Sequence, residues 1–227
     1  MTGLVTIGWR FLVLHAVTSE NRSLYQRQVE ESFAIRHQIY VGERGWEDLR
    51  RSDGRECDQF DNDDAVYLLA LEGDRVIGGS RLVPTVKPHL MSEVFPQLAS
   101  FRPLPRAANI YEWTRIYVIP ERRGGRAMSN TTSVIYCGIQ EYCLSEGIDR
   151  ISIVTEPVWL PRFLELGWNP VPLGLAIDHK SGPVIGITVD VSEEILAHTR
   201  DIRGIASPVL VKSGIVTPER DRHVMAL

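Results

Sequence analysis

The segment Ile110-Tyr-Glu-Trp-Thr-Arg-Ile-Tyr-Val-Ile-Pro120 is rich in β-branched and aromatic residues, and a basic glycine-rich turn, Arg122-Arg-Gly-Gly-Arg126, follows it closely. Such a run predicts a β-strand that ends at the proline. The turn opens onto a helical pattern that runs through Leu144 and is stopped by Gly147. A short apolar run at Arg150–Thr155 comes next and predicts a second, buried strand.

The elements predicted on either side of these two strands complete one α/β domain. A helix is expected first, then a hairpin around Gly73-Asp74, and after the two strands a helix, a second hairpin and a last helix capped by Ser192. The predicted bounds are 21–41, 66–72, 75–84, 157–166, 171–177, 183–191 and a helix from Ser192. This order predicts a three-layer α/β/α sandwich with a mixed, mostly antiparallel sheet. We expect a single domain over 1–204 and a loosely ordered tail over 205–227.

Composition excludes several classes of function. The chain has 227 residues, 44% hydrophobic and 24% charged, with a net charge of −4, which argues against nucleic-acid binding. No window approaches 18 consecutive apolar residues, so no membrane span is predicted, and the absence of a basic leader predicts a cytoplasmic protein. Three cysteines without metal-ligand spacing predict neither a disulfide framework nor a metal site.

The first candidate site combines a helix with an acidic loop. Arg36 lies within an apolar stripe of the first helix, and Trp46, Asp58 and Asp61 follow in the polar stretch of 42–64. If the loop folds over the helix, the carboxylates would attract a cationic ligand, Arg36 its carboxylate, and the indole a purine or a sulfonium. The alternative is a solvated acidic loop with Arg36 in a structural ion pair, and spacing alone favours that alternative.

The second candidate site is Glu112 and Arg115 within the strand that begins at Ile110. Residues three apart in a strand face opposite sides of the sheet, so the two side chains share a pocket only if a β-bulge intervenes. A buried glutamate with a perturbed pKa can accept a proton from an amine nucleophile. Otherwise Glu112 points into a pocket and Arg115 braces the other face of the sheet.

Two further features carry charge. Arg81, in the strand that contains Gly78-Gly79, needs an acid nearby, and Asp58, Asp61 or Glu112 are the candidates. The two glycines indicate a bulge or a close backbone approach. The turn of 122–126 can cradle a phosphate with its amides and arginines.

Taken together, these motifs resemble the LuxI family of acyl-homoserine-lactone synthases over residues 33–168. The pattern of this family is an arginine, an aromatic residue, a tryptophan, Glu-x-Asp-x-Phe-Asp, Arg-Leu-x-Pro-Thr and Glu-x-x-Arg. The matching residues are Arg36, Tyr40, Trp46, Glu56–Asp61, Arg81–Thr85, Phe95 and Glu112–Arg115. Tyr40 replaces the usual phenylalanine, and Glu-Trp-Thr-Arg replaces the commoner Glu-Leu-Ser-Arg, which bears on the acyl group rather than on the reaction.

The resemblance implies a fold similar to the GNAT acetyltransferases, in which the strands of 110–120 and 150–155 splay apart and admit the arm of an acyl thioester. It implies that the amine of S-adenosylmethionine attacks the thioester, and that the carboxylate then displaces methylthioadenosine to close the lactone of a quorum-sensing signal. Both compounds are substrates, so no cofactor and no metal is expected. An acyl-coenzyme A donor is favoured over acyl carrier protein because of the crowded tryptophans and the basic turn.

On this resemblance each candidate residue has an expected role. Glu112 and Arg115 are expected to be catalytic. S-adenosylmethionine is expected to bind to Arg36, Tyr40, Trp46, Asp58, Asp61, Arg81 and Phe95. Trp113, Thr155 and Trp159 are expected to line an acyl pocket suited to short, branched or aryl groups. The phosphates of the donor, or a carrier protein, are expected at Arg122, Arg123, Arg126 and Arg150.

Two other functions stay open at this point. A GNAT-type N-acetyltransferase that uses acetyl-coenzyme A would share the splayed strands and the phosphate turn, but it would not need the set of Arg36, Trp46, Asp58 and Asp61. A non-catalytic module that binds S-adenosylmethionine or acyl thioesters would not need Glu112 as a proton acceptor.

Overall fold

The computed structural model describes residues 12–124 and 129–213. Its strands are β1 (Val13–Val17), β2 (Val66–Glu72), β3 (Arg75–Pro84), β4 (Ile110–Val118), β5 (Arg150–Thr155), β6 (Val171–Pro172), β7 (Ile185–Asp190) and β8 (Leu210–Val211). Its α-helices are α1 (Gln26–Arg36), α2 (Leu90–Glu93), α3 (Asn130–Ser145), α4 (Leu160–Glu165) and α5 (Glu193–Arg203). A π-helical segment, His37–Glu43, continues α1 directly. Short 3-10 helices occupy Arg22–Tyr25, Glu47–Leu49, Pro96–Leu98, Pro120–Arg122 and Pro157–Trp159.

All eight strands form one open sheet in the order β6-β7-β5-β4-β3-β2-β1-β8. The β4–β5 and β1–β8 pairs are parallel, and the other neighbouring pairs are antiparallel. The predicted mixed, mostly antiparallel sheet is therefore confirmed, and β4 and β5 lie side by side within it.

Helices cover both faces of the sheet, as the sequence predicted. Side chains alternate along β2, so that Leu68 and Ala70 belong to the apolar cluster beneath α3 and α5, whereas Tyr67 and Leu69 belong to the cluster beneath α1. This alternation follows from the two-residue period of a strand. The result is the three-layer α/β/α sandwich, with the main core between the sheet and α3.

The centre of the sheet is irregular in two ways that matter for the site. Pairing between β4 and β5 ends at Trp113↔Ile153, although β4 continues to Val118 and β5 to Thr155. The β3–β4 ladder also shifts register, since Arg81 pairs with Thr114 but Gly79 pairs with Tyr117. Two residues of β4, Arg115 and Ile116, therefore stand opposite one residue of β3, which is a β-bulge.

The glycines of β3 make the close approach that the sequence indicated. A Cβ atom on Gly79 would lie 2.9 Å from the Leu68 carbonyl oxygen and 2.9 Å from the Tyr117 hydroxyl. A Cβ atom on Gly78 would lie 2.9 Å from the Tyr117 carbonyl oxygen. Only glycine fits where β2, β3 and β4 are packed this closely around the bulge.

Several predicted bounds are corrected by the structure. The helix expected over 21–41 is a 3-10 turn, α1 and the π-helical segment, and the helix over 157–166 is a 3-10 turn followed by α4. The hairpin over 171–191 is reduced to β6, β7 and a single bridge, Ile177↔Val184. Ser192 caps α5 as predicted, because its hydroxyl accepts a hydrogen bond from the Ile195 amide.

The loosely ordered tail predicted over 205–227 is wrong for 205–213. Val209 is buried, and β8 pairs in parallel with β1. The Glu141 carboxylate of α3 accepts hydrogen bonds from the amides of Val209 and Leu210, which anchors this strand. The domain therefore extends beyond 204, and residues 214–227 lie outside the described part of the chain.

No helix in the described ranges is long and apolar enough to cross a membrane.

Candidate functional site

Three arginines and three acids form a buried network between α1 and the sheet. Arg36 ends α1, Arg81 lies in β3 and Arg115 occupies the bulge of β4. The acids come from the loop between the Glu47–Leu49 turn and β2, which folds over the helix; they are Glu56, Asp58 and Asp61. We call these six residues the arginine–acid network.

Arg36 is bound by two of the acids. Its Nε donates to Glu56 Oε2 at 2.6 Å, and its two terminal nitrogens donate to the two oxygens of Asp61 at 2.8 Å each. The last pair is bidentate, a geometry that matches a guanidinium to a carboxylate. The sequence placed both Asp58 and Asp61 near Arg36, but only Asp61 binds it directly.

Asp58 joins the other two arginines. Arg81 donates to both oxygens of Asp58, at 2.6 and 3.0 Å, and lies 2.8 Å from Asp61 Oδ2. Arg115 donates to Asp58 at 2.9 Å and to Glu56 at 2.9–3.1 Å. The need of Arg81 for an acid is thus met by Asp58 and Asp61, two of the three candidates, and not by Glu112.

The network is closed on most sides and open at one edge. The side chains of Arg36, Arg81, Glu56 and Asp61 are at most 2% exposed, whereas Asp58 is 13% and Arg115 8% exposed. Although burial raises the pKa of the Asp61 carboxyl, the hydrogen bond from Arg36 and the charges of Arg81 and Arg36 hold that pKa well below its usual range. The three positive charges therefore balance three negative ones, and Asp58 and Arg115 form the open edge.

An aromatic wall adjoins the network. Tyr40, from the π-helical segment, is buried and stacks on the half-buried Trp46 with a centroid distance of 5.1 Å and an interplanar angle of 16°. The Arg44 guanidinium lies 5.4 Å from the Trp46 ring, and the Arg115 guanidinium lies 5.7 Å from the Tyr40 ring. Trp46 is therefore the more exposed member of the wall, and Tyr40 lies behind it.

Glu112 lies on the face of the sheet opposite Trp113 and is fully buried. Its two carboxylate oxygens accept hydrogen bonds from the amides of Leu90 and Met91, both at 2.7 Å. Burial raises the pKa of Glu112 to about 7, against the opposing effect of these two hydrogen bonds and of the charges of Arg81 and Arg115. This carboxyl can therefore exchange a proton near neutral pH.

The bulge gives Glu112 and Arg115 a common side of the sheet, as the sequence analysis required. Arg115 has a left-handed backbone with φ of 57°, which is uncommon for a residue with a side chain. Its guanidinium consequently reaches Glu56 and Asp58 on the α1 face. The alternative, in which Arg115 braces the opposite face, is excluded.

The three residues expected to line an acyl pocket differ in their burial. Trp113 is buried in a cluster with Tyr136, Phe163 and Trp168, at centroid distances of 5.8–6.3 Å. Thr155 is the half-buried last residue of β5. Trp159 is 41% exposed, and its indole nitrogen donates to Glu156 at 3.1 Å.

Phe95 is half-buried and packs edge-on against His179 at 5.3 Å. The neighbouring Lys180 forms an ion pair of 2.7 Å with Asp48, in the turn that follows Trp46. Phe95 is therefore on the side of the aromatic wall, although its ring contacts the loop between β6 and β7 rather than the arginine–acid network.

The structure separates the arginines expected to bind the donor. Arg122 pairs with Glu72 at 2.6 Å and Arg123 with Glu43 at 2.6 Å, both just beyond the end of β4. Arg150 begins β5 opposite Ile110, at the other end of β4, and pairs with Asp190. Arg126 lies outside the described residues. Arg150 therefore does not share a surface with the basic turn.

Two residues of the site were not selected from the sequence. Glu56 bridges Arg36 and Arg115, and its place in the Glu-x-Asp-x-Phe-Asp motif was the available signal. Thr114 accepts a hydrogen bond from Arg81 Nε at 3.1 Å. Nothing in its own sequence context marked Thr114, because its role depends on the β3–β4 register.

Within the described ranges no group of histidine, cysteine and acidic side chains is arranged to hold a metal ion. What the arrangement offers instead is a charge-balanced network with one open edge, a half-buried indole, a buried carboxyl with a pKa near neutrality and a gap between two strands. These features suit a zwitterionic ligand with an aromatic ring next to an extended arm.

Solved structures with a similar fold define the class of protein. A coenzyme A-dependent acyl-homoserine lactone synthase, BjaI, solved with S-adenosylmethionine and isopentyl-coenzyme A, superimposes with a TM-score of 0.84 at 43% identity, over 93% of this chain and 98% of that one. Another, MesI, gives 0.80 at 44% identity, over 88% and 100%. An N-acetyltransferase fold from Lactobacillus plantarum, at 18% identity and a TM-score of 0.52 over 79% of this chain and 98% of that one, shares the fold alone. The protein is thus an acyltransferase with a GNAT-like fold.

Sequence comparison identifies the family. The profile described as autoinducer synthase matches residues 20–198. The isovaleryl-homoserine lactone synthase of Bradyrhizobium diazoefficiens is 45% identical over 197 residues, which cover 87% of this chain and 88% of that protein. The chain therefore belongs to the autoinducer synthase family, and its activity is that of an acyl-homoserine-lactone synthase.

Proposed function

We propose that this enzyme transfers a short, branched acyl group from acyl-coenzyme A to the amine of S-adenosylmethionine and then closes the lactone with release of methylthioadenosine. The observation that carries this proposal is the single open edge of the arginine–acid network, Asp58 and Arg115, beside Trp46 and the β4–β5 splay. One edge presents a negative and a positive group together, which suits a ligand that carries both charges.

The charges of S-adenosylmethionine complement those of this edge. The exposed side of Asp58 would attract the amine or the sulfonium, Arg115 would attract the carboxylate, and the Trp46 indole would stack on the adenine or face the sulfonium. Arg36, Arg81, Glu56 and Asp61 would act from behind, because their hydrogen bonds hold Asp58 and Arg115 in place.

The acyl transfer requires removal of a proton from the amine. Glu112 would accept it, directly or through one water molecule, since each carboxylate oxygen keeps a second lone pair beyond its amide hydrogen bond. The amine nitrogen then bonds to the thioester carbonyl carbon, backbone amides of the unpaired part of β4 stabilise the oxyanion, and the carbon–sulfur bond breaks. The thiolate leaves and takes up the proton that Glu112 received.

Lactone closure would follow within the same bound molecule. An oxygen of the methionine carboxylate attacks the γ-carbon, and the bond from that carbon to the sulfonium sulfur breaks with its electrons on sulfur. This produces neutral methylthioadenosine and the lactone. The contribution of the protein is to hold the acylated intermediate bent, so that the two reacting atoms are close and the step is intramolecular.

Coenzyme A is proposed as donor on two grounds. The relative BjaI is described as coenzyme A-dependent, and it is 43% identical over 93% of this chain. Arg122 and Arg123 follow the splayed end of β4, where the phosphates of a donor whose arm lies between β4 and β5 would emerge. A short branched acyl group is supported by the bulk of Trp113 and Trp159 and by the isovaleryl product named for the Bradyrhizobium relative.

We also propose a cytoplasmic location. Cys57, Cys137 and Cys143 are free thiols, and unpaired cysteines are usual where thiols are kept reduced.

Product mass spectrometry tests the proposed function. The protein would be incubated with S-adenosylmethionine and a panel of acyl-coenzyme A and acyl-carrier thioesters of different chain shape. We expect methylthioadenosine and a short branched acyl-homoserine lactone with the coenzyme A donor. Thiol release without methylthioadenosine would instead indicate an ordinary N-acyltransferase, and product only from carrier thioesters would overturn the proposed donor.

The Glu112→Gln variant separates catalysis from binding. It keeps the shape of the side chain and removes the proton acceptor. We expect it to bind S-adenosylmethionine in calorimetry and to form no lactone. A variant that retained wild-type turnover would remove Glu112 from the reaction.

A further inference from the structure

The hydroxyl of Tyr40 reaches across the site to β4. Tyr40 is 3% exposed, and its hydroxyl donates a hydrogen bond to the Ile116 carbonyl at 2.7 Å. Burial raises the pKa of Tyr40 to about 12, so the hydroxyl keeps its proton at neutral pH and stays a donor. The hydrogen bond therefore joins the π-helical segment to the central strand.

Ile116 is paired with neither of the strands that flank β4. It is in the bulge, between the Arg81↔Thr114 and Gly79↔Tyr117 pairs of the β3 ladder, and it lies beyond Trp113↔Ile153, the last pair with β5. A backbone carbonyl that is not bonded in a ladder needs another partner. Tyr40 supplies that partner at the start of the splayed region.

The aromatic ring of the same residue contacts the other half of the site. It stacks on Trp46, and the Arg115 guanidinium lies 5.7 Å from its centroid. Tyr40 thus contacts Trp46, where we expect S-adenosylmethionine, and the guanidinium at the open edge. It also contacts the backbone along which the thioester arm would lie. Because Trp46 covers Tyr40, its ring is not the surface that a ligand meets first.

We propose that Tyr40 is a positioning residue of the donor half of the site: its hydroxyl fixes the bulge and the splayed end of β4, and with them the thioester carbonyl relative to the amine. On this proposal Tyr40 acts on the donor half of the site, whereas the sequence led us to expect that it binds S-adenosylmethionine. The proposal rests on the proposed function, since it assigns the splay to the acyl thioester.

The Tyr40→Phe variant removes one oxygen atom and keeps the stacked ring. We expect kcat/KM for acyl-coenzyme A to fall about fivefold, the factor that corresponds to one neutral hydrogen bond of ~1 kcal/mol. The Kd for S-adenosylmethionine, measured by calorimetry, should stay within about twofold of the wild-type value, because Trp46 and the arginine–acid network are intact. A loss confined to S-adenosylmethionine affinity, or no kinetic change, would overturn the proposal.

Tyr25→Phe is the matched control. The Tyr25 hydroxyl lies 3.0 Å from His15 Nδ1 and is fully buried in the same apolar layer, but its partner belongs to β1, the third strand from β4. Both variants lose a buried hydroxyl contact, so general destabilisation would affect them alike. We expect the Tyr25 variant to keep wild-type kcat/KM; an equal loss in both variants would assign the effect to stability and overturn the positioning role.

Hydrogen exchange tests the inference without any activity. Amides of residues 114–118 should exchange about fivefold faster in Tyr40→Phe than in the wild type. In Tyr25→Phe their exchange rates should equal those of the wild type. Unaltered exchange at 114–118 would overturn the inference even if the enzyme makes its lactone. If exchange responds but the wild type forms no lactone, the proposed function fails while the tether from Tyr40 to β4 stands.

Discussion

Asp58 and Asp61 are three residues apart in one loop, but their side chains differ in burial and in their arginine partners. Asp61 is fully buried and is bound by both Arg36 and Arg81, whereas Asp58 keeps 13% of its side chain exposed. A buried charge that loses its partner is costly, and a partly exposed one is relieved by water. At the scale of single residues, we therefore propose that Asp61 maintains the network and that Asp58 presents it to a ligand.

The Asp61→Asn variant should therefore lose stability first. We expect its free energy of unfolding to fall by about 3 kcal/mol, because two buried guanidinium groups lose a shared carboxylate. Urea denaturation followed by tryptophan fluorescence measures this. Asp58→Asn is the comparison: it should unfold closer to the wild type but bind S-adenosylmethionine at least tenfold more weakly. Equal stability of the two variants would contradict the division of roles.

Glu112 provides a prediction about pH. Its pKa is about 7 in the folded protein and near 4.5 when unfolded. The folded state therefore holds this proton more tightly, so its contribution to stability is complete below pH 4.5 and is lost as pH rises through 7. The loss amounts to about 3 kcal/mol. Lactone formation should rise over the same window, as the carboxylate form appears.

The measurement compares the wild type with Glu112→Gln between pH 5 and 8. In the wild type we expect log kcat/KM to rise with unit slope and level off above about pH 7, while the free energy of unfolding declines. The glutamine variant should lack the fall in stability that comes from this group. An activity profile without an inflection between pH 6 and 8 would argue against Glu112 as the proton acceptor.

At the scale of elements, the sequence predicted what depends on local pattern. Arg150–Thr155 was predicted as a strand and is β5 with the same bounds, since a short apolar run flanked by Gly147 and Pro157 is a strong local signal. β1 and β8 were missed. The two residues of β8 form a strand only because β1 lies beside them, and a partner 196 positions away leaves no mark on the local sequence.

The site shows the same division between local pattern and tertiary contact. The charged residues themselves were found, and the bulge was inferred as a condition for Glu112 and Arg115 to share one side. Which acid meets which arginine was not predictable, because it depends on how the loop of 50–65 folds over α1. The π-helical segment that carries Tyr40 was also missed, since its sequence continues the helical period of α1.

The corrected C-terminal region gives a prediction at the same scale. Glu141 accepts amide hydrogen bonds from Val209 and Leu210 and pairs with Arg200 at 2.8 Å. In Glu141→Gln an amide group faces one of these donors, so β8 should detach more often. We expect amide exchange at 209–211 to accelerate about tenfold. Glu146→Gln is the control, because it is an exposed change at the end of α3 that removes the ion pair with Lys212. In this variant the amide exchange rate at 209–211 should stay near that of the wild type.

At the scale of the whole molecule, β4 separates the two regions to which we assign the halves of the reaction. The arginine–acid network and Trp46 lie on the α1 side of the sheet, and the gap between β4 and β5 leads to the basic turn at the end of β4. Arg150 pairs with Ile110 at the start of β4, and Ile110 is eight residue steps of ~3.3 Å, or about 26 Å, from Val118 at the end that leads to the basic turn. The two basic regions cannot both hold the phosphates of one donor.

This separation allows a test of where the donor binds. Arg123 pairs with Glu43, but both side chains are about two-fifths exposed, so releasing Arg123 to a phosphate costs little. We expect Arg123→Ala to raise KM for acyl-coenzyme A about tenfold at low salt and to reduce the rise of KM with ionic strength, because a charge-assisted contact is lost. Arg150→Ala removes the same charge from the opposite end and should leave KM unchanged. If the Arg150 variant were instead the impaired one, the donor would enter from the opposite end of the sheet, and the β4–β5 splay would lose its proposed role.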